Sequence, residues 1–356
     1  MENDDVKVSA ILPVYNVADY LEKAVDSLMN QTWRNIEVII VNDGSKDDSL
    51  EVSRKLEKKY ANVIVIDQEN SGAAVARNTG MKYATGKYLY FMDPDDWMKP
   101  TYIESMVLIA ENSDSELVIS GFTNVYDDGE HKNETIVSTS EEVFGQTEWR
   151  LNAGKYLNNT QLAVPWNKLY LKEFIVQNNL QFPNIKWDDL YFNLEVIRNI
   201  NQVAINPNYD YQFLRTRPGS ETTTVFSGKL FENRKFQFEY VLEVFREWDA
   251  QLTDSGNELA YYFSSRVLQV VQEIADAGNL TKTQKKQKIG TILNDSLVRW
   301  AFQNTGNGHG LVNIAGFPIR HRMIRTTILM GALIGFVKTH ASNQFNSLKV
   351  AIMKVK

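Results

Sequence analysis

In Phe91-Met92-Asp93-Pro94-Asp95-Asp96 an apolar run ends directly on three carboxylates within four positions. Unpaired carboxylates repel one another, so a fold that gathers them needs a cation, commonly a divalent metal that favours hard oxygen. The preceding Tyr88-Leu89-Tyr90-Phe91-Met92 reads as a buried strand, which sets the acids at its carboxyl end. In an open α/β sheet that edge is where ligands bind. Asp95 is the residue expected to hold Mn2+ or Mg2+ together with the diphosphate of a nucleotide, since such ions leave part of their shell to phosphate oxygens. An acidic helix start ahead of Trp97 is the competing reading.

Three further clusters follow strand-like runs. In Pro13-Val14-Tyr15-Asn16 the proline ends the run and sets the backbone, leaving Tyr15 free to stack on a nucleobase or to pack in a turn. In Asn42-Asp43-Gly44-Ser45 a fixed Asp43 could accept the N3–H of uracil, a donor that cytosine lacks. Ser45, with Asp48 three residues on, resembles a capping box. In Asn70-Ser71-Gly72-Ala73-Ala74-Val75-Ala76-Arg77-Asn78, Gly72 and its small neighbours open a helix whose backbone N–H groups can approach an anion. Arg77 follows as a fixed cation on an alanine face, unless that face simply packs tightly.

Alternating strand and helix signals position these clusters. Val6 to Leu12, Ile36 to Val41, Asn62 to Ile66 and Tyr88 to Met92 are β-rich runs. Between them, Leu21, Ala24, Val25, Leu28 and Met29 recur with helical spacing, and helices are expected from Ser45 to about Tyr60 and from Ala73 to Ala84. Strands separated by helices of this length imply parallel pairing through right-handed crossovers. The expected fold is α/β, a Rossmann-like, doubly wound, mainly parallel sheet. A helix over Tyr102–Glu111, a strand over Leu117–Gly121 and a hairpin turn at Val125–Gly129 follow. From Ser140 the pattern turns mainly helical, and residues 228–305 read as two or three amphipathic helices. The division expected is a catalytic domain over 1–225 and a helical region over 226–356.

Composition narrows the chemistry. The 356 residues include no cysteine, which excludes disulfides and thiolate metal sites. The four histidines are scattered without metal-ligand spacing, and neither a P-loop lysine motif nor a nucleophile elbow is present. The acidic start does not read as a secretory signal, and no stretch approaches the roughly 20 apolar residues of a membrane span, so a cytoplasmic protein is expected. With 38 basic and 44 acidic residues the net charge is −6, yet no Asp or Glu follows Asp295, while eight Lys and Arg do. The acidic body argues against nucleic acid as a partner. The basic tail over 296–356 suggests peripheral contact with an anionic membrane, docking on the acidic body, or a homodimer contact.

Taken together, Ser9–Asn16, Val41–Ser45, Asn70–Gly72 with Ala76–Asn78, and Phe91–Asp96 resemble a family 2 glycosyltransferase of the GT-A fold, in order and spacing over about residues 6–100. The resemblance implies a nucleotide-sugar donor, a divalent metal and inversion at the anomeric carbon. By similarity, Tyr15 and Asp43 would hold the uridine, Arg77 the base or its neighbouring acid, Asp93 the ribose side and Asp95 the metal. Pro165-Trp166-Asn167-Lys168-Leu169-Tyr170 resembles a stretch of the bacterial polysaccharide members. Trp187-Asp188-Asp189 falls where they carry a Glu-Asp pair whose Asp is the catalytic base. The base role therefore passes to Asp189, with Asp188 standing in for the Glu. Independently, a general base must take the acceptor's proton, and a close carboxylate pair would raise one pKa towards that task. Tyr211–Ser220 is similar to a loop that closes over the diphosphate, in which Arg217 and Ser220 would stabilise the leaving group. The implied reaction moves a sugar from a UDP-sugar to a saccharide, lipid-linked, in surface polysaccharide synthesis. Transfer to a protein or teichoic-type polymer and a non-catalytic nucleotide-sugar scaffold are the alternatives.

Overall fold

The computed structural model describes residues 6–127, 132–217, 229–248, 254–306 and 310–340. They fall in two compact units, Met1–Ser220 and Glu221–Lys356. The first unit opens with β1 (Val8–Val14), α1 (Ala18–Met29), β2 (Ile36–Asp43), α2 (Ser49–Lys59), β3 (Val63–Gln68), α3 (Ala73–Tyr83) and β4 (Tyr88–Phe91). These four strands pair in parallel in the order β3-β2-β1-β4, as expected of the alternating pattern. All seven residues of β1 are buried, the near-continuous apolar run of a strand covered on both faces. Ala10 and Leu12 join the core containing Leu21, Val25 and Leu28 of α1. Ile11 points the other way: a Cβ on Gly80 of α3 would come within 2.4 Å of its Cγ2, so glycine permits that close approach.

The chain continues through β5 (Trp97–Met98), α4 (Tyr102–Ser113), β6 (Leu117–Ser120), β7 (Phe122–Asp127), β8 (Lys132–Val137), β9 (Glu142–Gly145), α5 (Gln146–Asn158), β10 (Lys168–Leu171), α6 (Lys172–Gln177), α7 (Asp188–Arg198), β11 (Gln202–Asn206) and β12 (Tyr211–Leu214). The main sheet grows to eight strands, β3-β2-β1-β4-β10-β6-β11-β9, with β10 antiparallel to both of its neighbours. A second sheet, β5-β12-β7-β8, contains the hairpin pair β7 and β8. From Ser140 the chain is mainly helical, as expected, but four strands of four or five residues also lie there. They are too short to show a period of two against aromatic neighbours.

Two local readings also need correction. Pro13 does not end its strand; it sits within β1 opposite Val41. The β4 ladder stops at Ile11, whose carbonyl accepts from Met92 N–H at 3.0 Å. Residue 13 faces that same side, so its missing N–H leaves no ladder bond unmade. Ser45 and Asp48 form no capping box: α2 starts at Ser49, with Asp48 at the N-cap position making no side-chain bond to the helix. The Ser45 hydroxyl instead accepts from Asn16 N–H at 3.2 Å, and the Asp47 carboxylate accepts from Ser49 and Ala18 N–H at 3.0 and 3.1 Å. Ser49 Oγ accepts from Val17 N–H at 2.8 Å. The first two strand-to-helix loops are thereby stitched to each other, and the amides left over at the helix starts are satisfied between them.

At the opposite edge, Glu37 on β2 binds Lys7 at 2.6 Å and accepts from the Ser9 hydroxyl, from Thr85 N–H and Oγ1, and from Gly86 N–H. Burial raises its pKa, but these donors outweigh burial and bring it down to about 2 from 4.5. A depressed carboxylate contributes stability above its unfolded pKa and loses it as pH falls through the folded value. Glu37→Gln should therefore flatten the acid limb of the stability profile between about pH 4.5 and 2, measured by urea titration at stepped pH. An unchanged acid limb would contradict this.

The second unit contains α8 (Leu230–Glu247), α9 (Asp254–Asp276), α10 (Lys282–Asn294), α11 (Ser296–Asn304), α12 (Gly310–Arg320) and α13 (Ile324–His340). Four of these, rather than two or three, fall within the amphipathic stretch over 228–305. Two caps make the extra breaks: a Thr281–Gln284 capping box opens α10, and Asp295 accepts from Leu297 and Val298 N–H to open α11. Phe238 and Phe263 stack at 4.4 Å in its core. No described helix is long and apolar enough to cross a membrane.

Candidate active site

The sequence-predicted residues gather at the carboxyl ends of β1, β2 and β4 and at the start of α7. Tyr15 lies just past β1, 47% exposed, with room for a flat ring to stack upon it. Asp43 closes β2 and is buried. Its Oδ1 accepts from the Gln68 amide at 2.7 Å and Ser71 N–H at 2.9 Å, and its Oδ2 from Gly72 N–H at 2.8 Å. The Asn70 amide donates to the Asp43 carbonyl at 2.9 Å. Asp43, Asn70 and Gly72 therefore form one loop scaffold. Gly72 has φ +93°, and at Gly44 (φ +67°) a Cβ would meet Asn70 N at 2.7 Å, so both glycines are required by backbone shape. A carboxylate offers about four lone-pair sites, and these three bonds occupy three of them. Asp43→Ala should lower stability by about 3 kcal/mol, because three donors lose a charged acceptor. Denaturant midpoints check this; an unaltered midpoint would contradict the scaffold role.

Arg77 links three acids of the site. Buried on α3, its Nη1 donates to Asp189 Oδ1 at 2.7 Å and to Asp188 Oδ2 at 3.1 Å, and its Nη2 to Asp93 Oδ1 at 3.2 Å. Phe182 lies beside the guanidinium, 5.2 Å from its carbon to the ring centre. Burial opposes the charge, but Asp189, Asp93 and Asp188 together push the pKa up, so Arg77 stays protonated. Of the readings offered for Arg77, pairing with neighbouring acids is the arrangement found, and the alanine face around it is packed as well. Asn78 and Phe182 exchange hydrogen bonds, Nδ2 to carbonyl at 2.8 Å and N–H to Oδ1 at 2.9 Å, which ties α3 to the segment before α7.

Asp188 and Asp189 occupy the first turn of α7, where the helix dipole favours negative charge. Trp187 ahead of them has φ +60°, a left-handed conformation that a bulky side chain adopts only under constraint. Such strain gathers at functional sites, and here it sets the direction from which α7 presents its two acids.

The three acids after β4 have different fates. Asp96 is fully buried and structural: Tyr211 donates its hydroxyl to Oδ2 at 2.6 Å, and Leu214 N–H donates to Oδ1 at 2.8 Å. Burial, then the Asp95 and Asp93 charges, push its pKa up. Asp93 belongs to Arg77. Asp95 pairs with Arg217 Nε at 2.6 Å, so a cation from the segment after β12 faces this carboxylate. Burial and the Asp93 charge still raise the Asp95 pKa, against the opposing pull of Arg217. Ser220, with Pro218 and Gly219, lies outside the described residues.

Trp166 stacks on Tyr211 at 4.7 Å and 8°, and Lys168 donates to the Gln161 carbonyl at 2.5 Å and to Asn167 Oδ1 at 2.8 Å. That stretch frames the site as a buried clamp; burial pulls the Lys168 pKa down while the Asp189 charge opposes. Asp96, Asn78, Tyr211 and Trp187 all lie in motifs visible in the sequence, but what they do here was missed, because it rests on distant contacts and backbone strain that spacing does not show.

Among the described residues no three carboxylates or imidazoles converge as a ready-made metal cage. Mn2+ and Mg2+ need only one or two protein carboxylates when phosphates complete the shell. Asp93, Asp188 and Asp189 face the Arg77 guanidinium and Asp95 that of Arg217, a hard-oxygen set near the strand edge, and Asp95 is destabilised in its ionised form. These residues fit such an ion.

The comparisons agree with this architecture. Glycosyl transferase family 2 matches residues 9–175. The chain is 30% identical over 311 residues to the uncharacterized glycosyltransferase EpsJ of Bacillus subtilis strain 168, covering 85% of this chain and 88% of that protein. It is 29% identical over 308 residues to the putative glycosyltransferase EpsH of the same organism, covering 84% and 86%. The crystal structure of S. aureus TarS 1-349 in complex with UDP-GlcNAc superposes with a TM-score of 0.64 at 18% identity, over 94% of this chain and 92% of that one. The chain belongs to glycosyl transferase family 2. It is a glycosyltransferase with a GT-A catalytic fold followed by a helical region.

Proposed function

We propose that this enzyme transfers a sugar, with inversion, from a UDP-sugar to a hydroxyl of a saccharide acceptor carried on a lipid, in surface polysaccharide synthesis, and that the first unit performs the catalysis. The observation that carries the reading is the Arg77 bridge. It links Asp93, two positions before the expected cation ligand, to the α7 acids expected to handle the acceptor. Similarity to TarS, whose structures hold UDP and UDP-GlcNAc, supports the uridine donor.

In this reading Tyr15 stacks on the uracil, while Asp43 accepts its N3–H. Asn70 and Gly72 keep that loop in shape, and Pro13 fixes the backbone from which Tyr15 projects. Asp93 lies on the ribose side. Asp95 would hold Mn2+ or Mg2+, which when bound neutralises diphosphate charge. Arg77 fixes the orientation of Asp189, whose side chain is 32% exposed and so reachable by an acceptor. Asp189 takes the acceptor hydroxyl proton as that oxygen bonds to the anomeric carbon. The bond from that carbon to the diphosphate oxygen breaks on the opposite face, and UDP departs with its electron pair. Arg217, and Ser220 beyond it, stabilise the charge growing on the leaving group. Asp188 shares Arg77 with the base and holds the pair in register.

UDP release tests the reading: purified protein is incubated with Mn2+, an acceptor extract and each of several UDP-sugars. Release with one donor, abolished by chelation and restored by Mn2+, is expected. No release with any donor would favour a non-catalytic scaffold.

A further inference from the structure

We infer that the last two described helices form a docking face for an anionic bilayer, lying on the membrane rather than crossing it. On α13, Thr327, Gly331 and Gly335 recur every four residues and are buried. A Cβ added at Gly331 would lie 2.7 Å from the Val271 carbonyl oxygen of α9. The small side of α13 is thus pressed inward, which turns its large apolar residues out. Leu329 is 69% and Leu333 55% exposed, four residues apart on one face. Arg325, one turn before Leu329 on that face, is exposed. On α12, Ile314 and Phe317 stand three residues apart at 67% and 52% exposure, and Met323 in the turn between the helices reaches 41%. A soluble surface scatters such residues singly; five within twenty positions mark an interface.

Charge selects the occupant. Glu221–Lys356 carries 17 Lys and Arg against 11 Asp and Glu, whereas Met1–Ser220 carries 21 against 33. After Asp295 no acidic residue follows, and Arg322 and Arg325 flank the exposed apolar side chains. Apolar side chains flanked by Arg322 and Arg325, on two helices that contain no acid of their own, suit anionic headgroups over acyl chains. At 17 residues and with Arg325 within it, α13 is an interfacial rather than a spanning helix. This inference concerns the second unit alone and stands whatever donor the first unit uses.

The test is flotation of the full chain with vesicles of phosphatidylcholine and phosphatidylglycerol, against phosphatidylcholine alone. Binding to the anionic vesicles, reduced by salt, is expected. Leu329→Glu with Leu333→Glu should weaken it at least about 100-fold, and Arg322→Asn with Arg325→Gln about 30-fold. Circular dichroism and UDP binding should be unchanged in both, and the arginine variant tests the inference even if the leucine variant misfolds. Absence of flotation would overturn the inference, as would equal flotation by the arginine variant. A lipid-free dimer that the leucine substitutions dissolve would assign the face to a second copy of the chain and overturn it too.

Discussion

Asp189→Asn is expected to bind UDP as tightly as the parent protein while turnover falls on the order of 10²-fold or more. Asparagine preserves the shape that Arg77 grips but cannot take a proton from the attacking hydroxyl. Arg77 donates to Asp189 and Asp188 through one nitrogen, at 2.7 and 3.1 Å, so either acid alone still keeps the other anchored. Asp188→Asn should accordingly cost far less turnover than Asp189→Asn. Initial rates of UDP release, with binding titrated in parallel, separate the two outcomes. Equal turnover in Asp189→Asn would reject the base assignment, and loss of UDP binding would mean that Asp189 holds the donor instead.

The second large effect is expected from Arg77→Met. Methionine approximates the length and apolar stem of arginine but leaves Asp93, Asp188 and Asp189 facing one another without their shared cation. Removing one partner of a buried ionic cluster costs about 3–5 kcal/mol, because the remaining charges stay partly desolvated without this counter-ion. The loss should show as a lower denaturant midpoint, and activity should fall with it, since α3, the segment after β4 and the start of α7 lose their common tether. Arg77→Lys should recover only part of the stability, because a single ammonium cannot reproduce a planar fork that reaches three carboxylates. A Met variant as stable as the parent would show that the cluster is held by something other than Arg77.

How far the sequence announced this site depends on whether the information was local. β1, β2 and β4 are continuous apolar runs, and Leu21, Val25 and Leu28 mark the buried side of α1, so the parallel core could be read directly. The acids after β4 were likewise visible, because a strand running into three carboxylates is unusual. What each acid does was not visible. Asp96 answers to Tyr211 and Leu214, more than a hundred residues away, and Arg77 answers to Asp188 and Asp189 across a similar separation. Nothing in the spacing around Asp96 distinguishes a buried tether from a ligand. Ser45 and Asp48 satisfied a capping pattern, yet the hydroxyl found Asn16 in the adjoining loop, a tertiary contact overriding a local one. The second sheet escaped notice because β5 has two residues and β12 four, too few for alternation to register.

The central claim is that a cation gripped by Asp95 anchors the donor's diphosphate at the strand edge. Its most direct measurement is a crystal structure with UDP and Mn2+, located by anomalous scattering. A manganese peak touching both the Asp95 carboxylate and the diphosphate is expected, with Arg217 released from Asp95 and the uracil lying between Tyr15 and Asp43. A peak absent from Asp95, or UDP bound away from that edge, would contradict it.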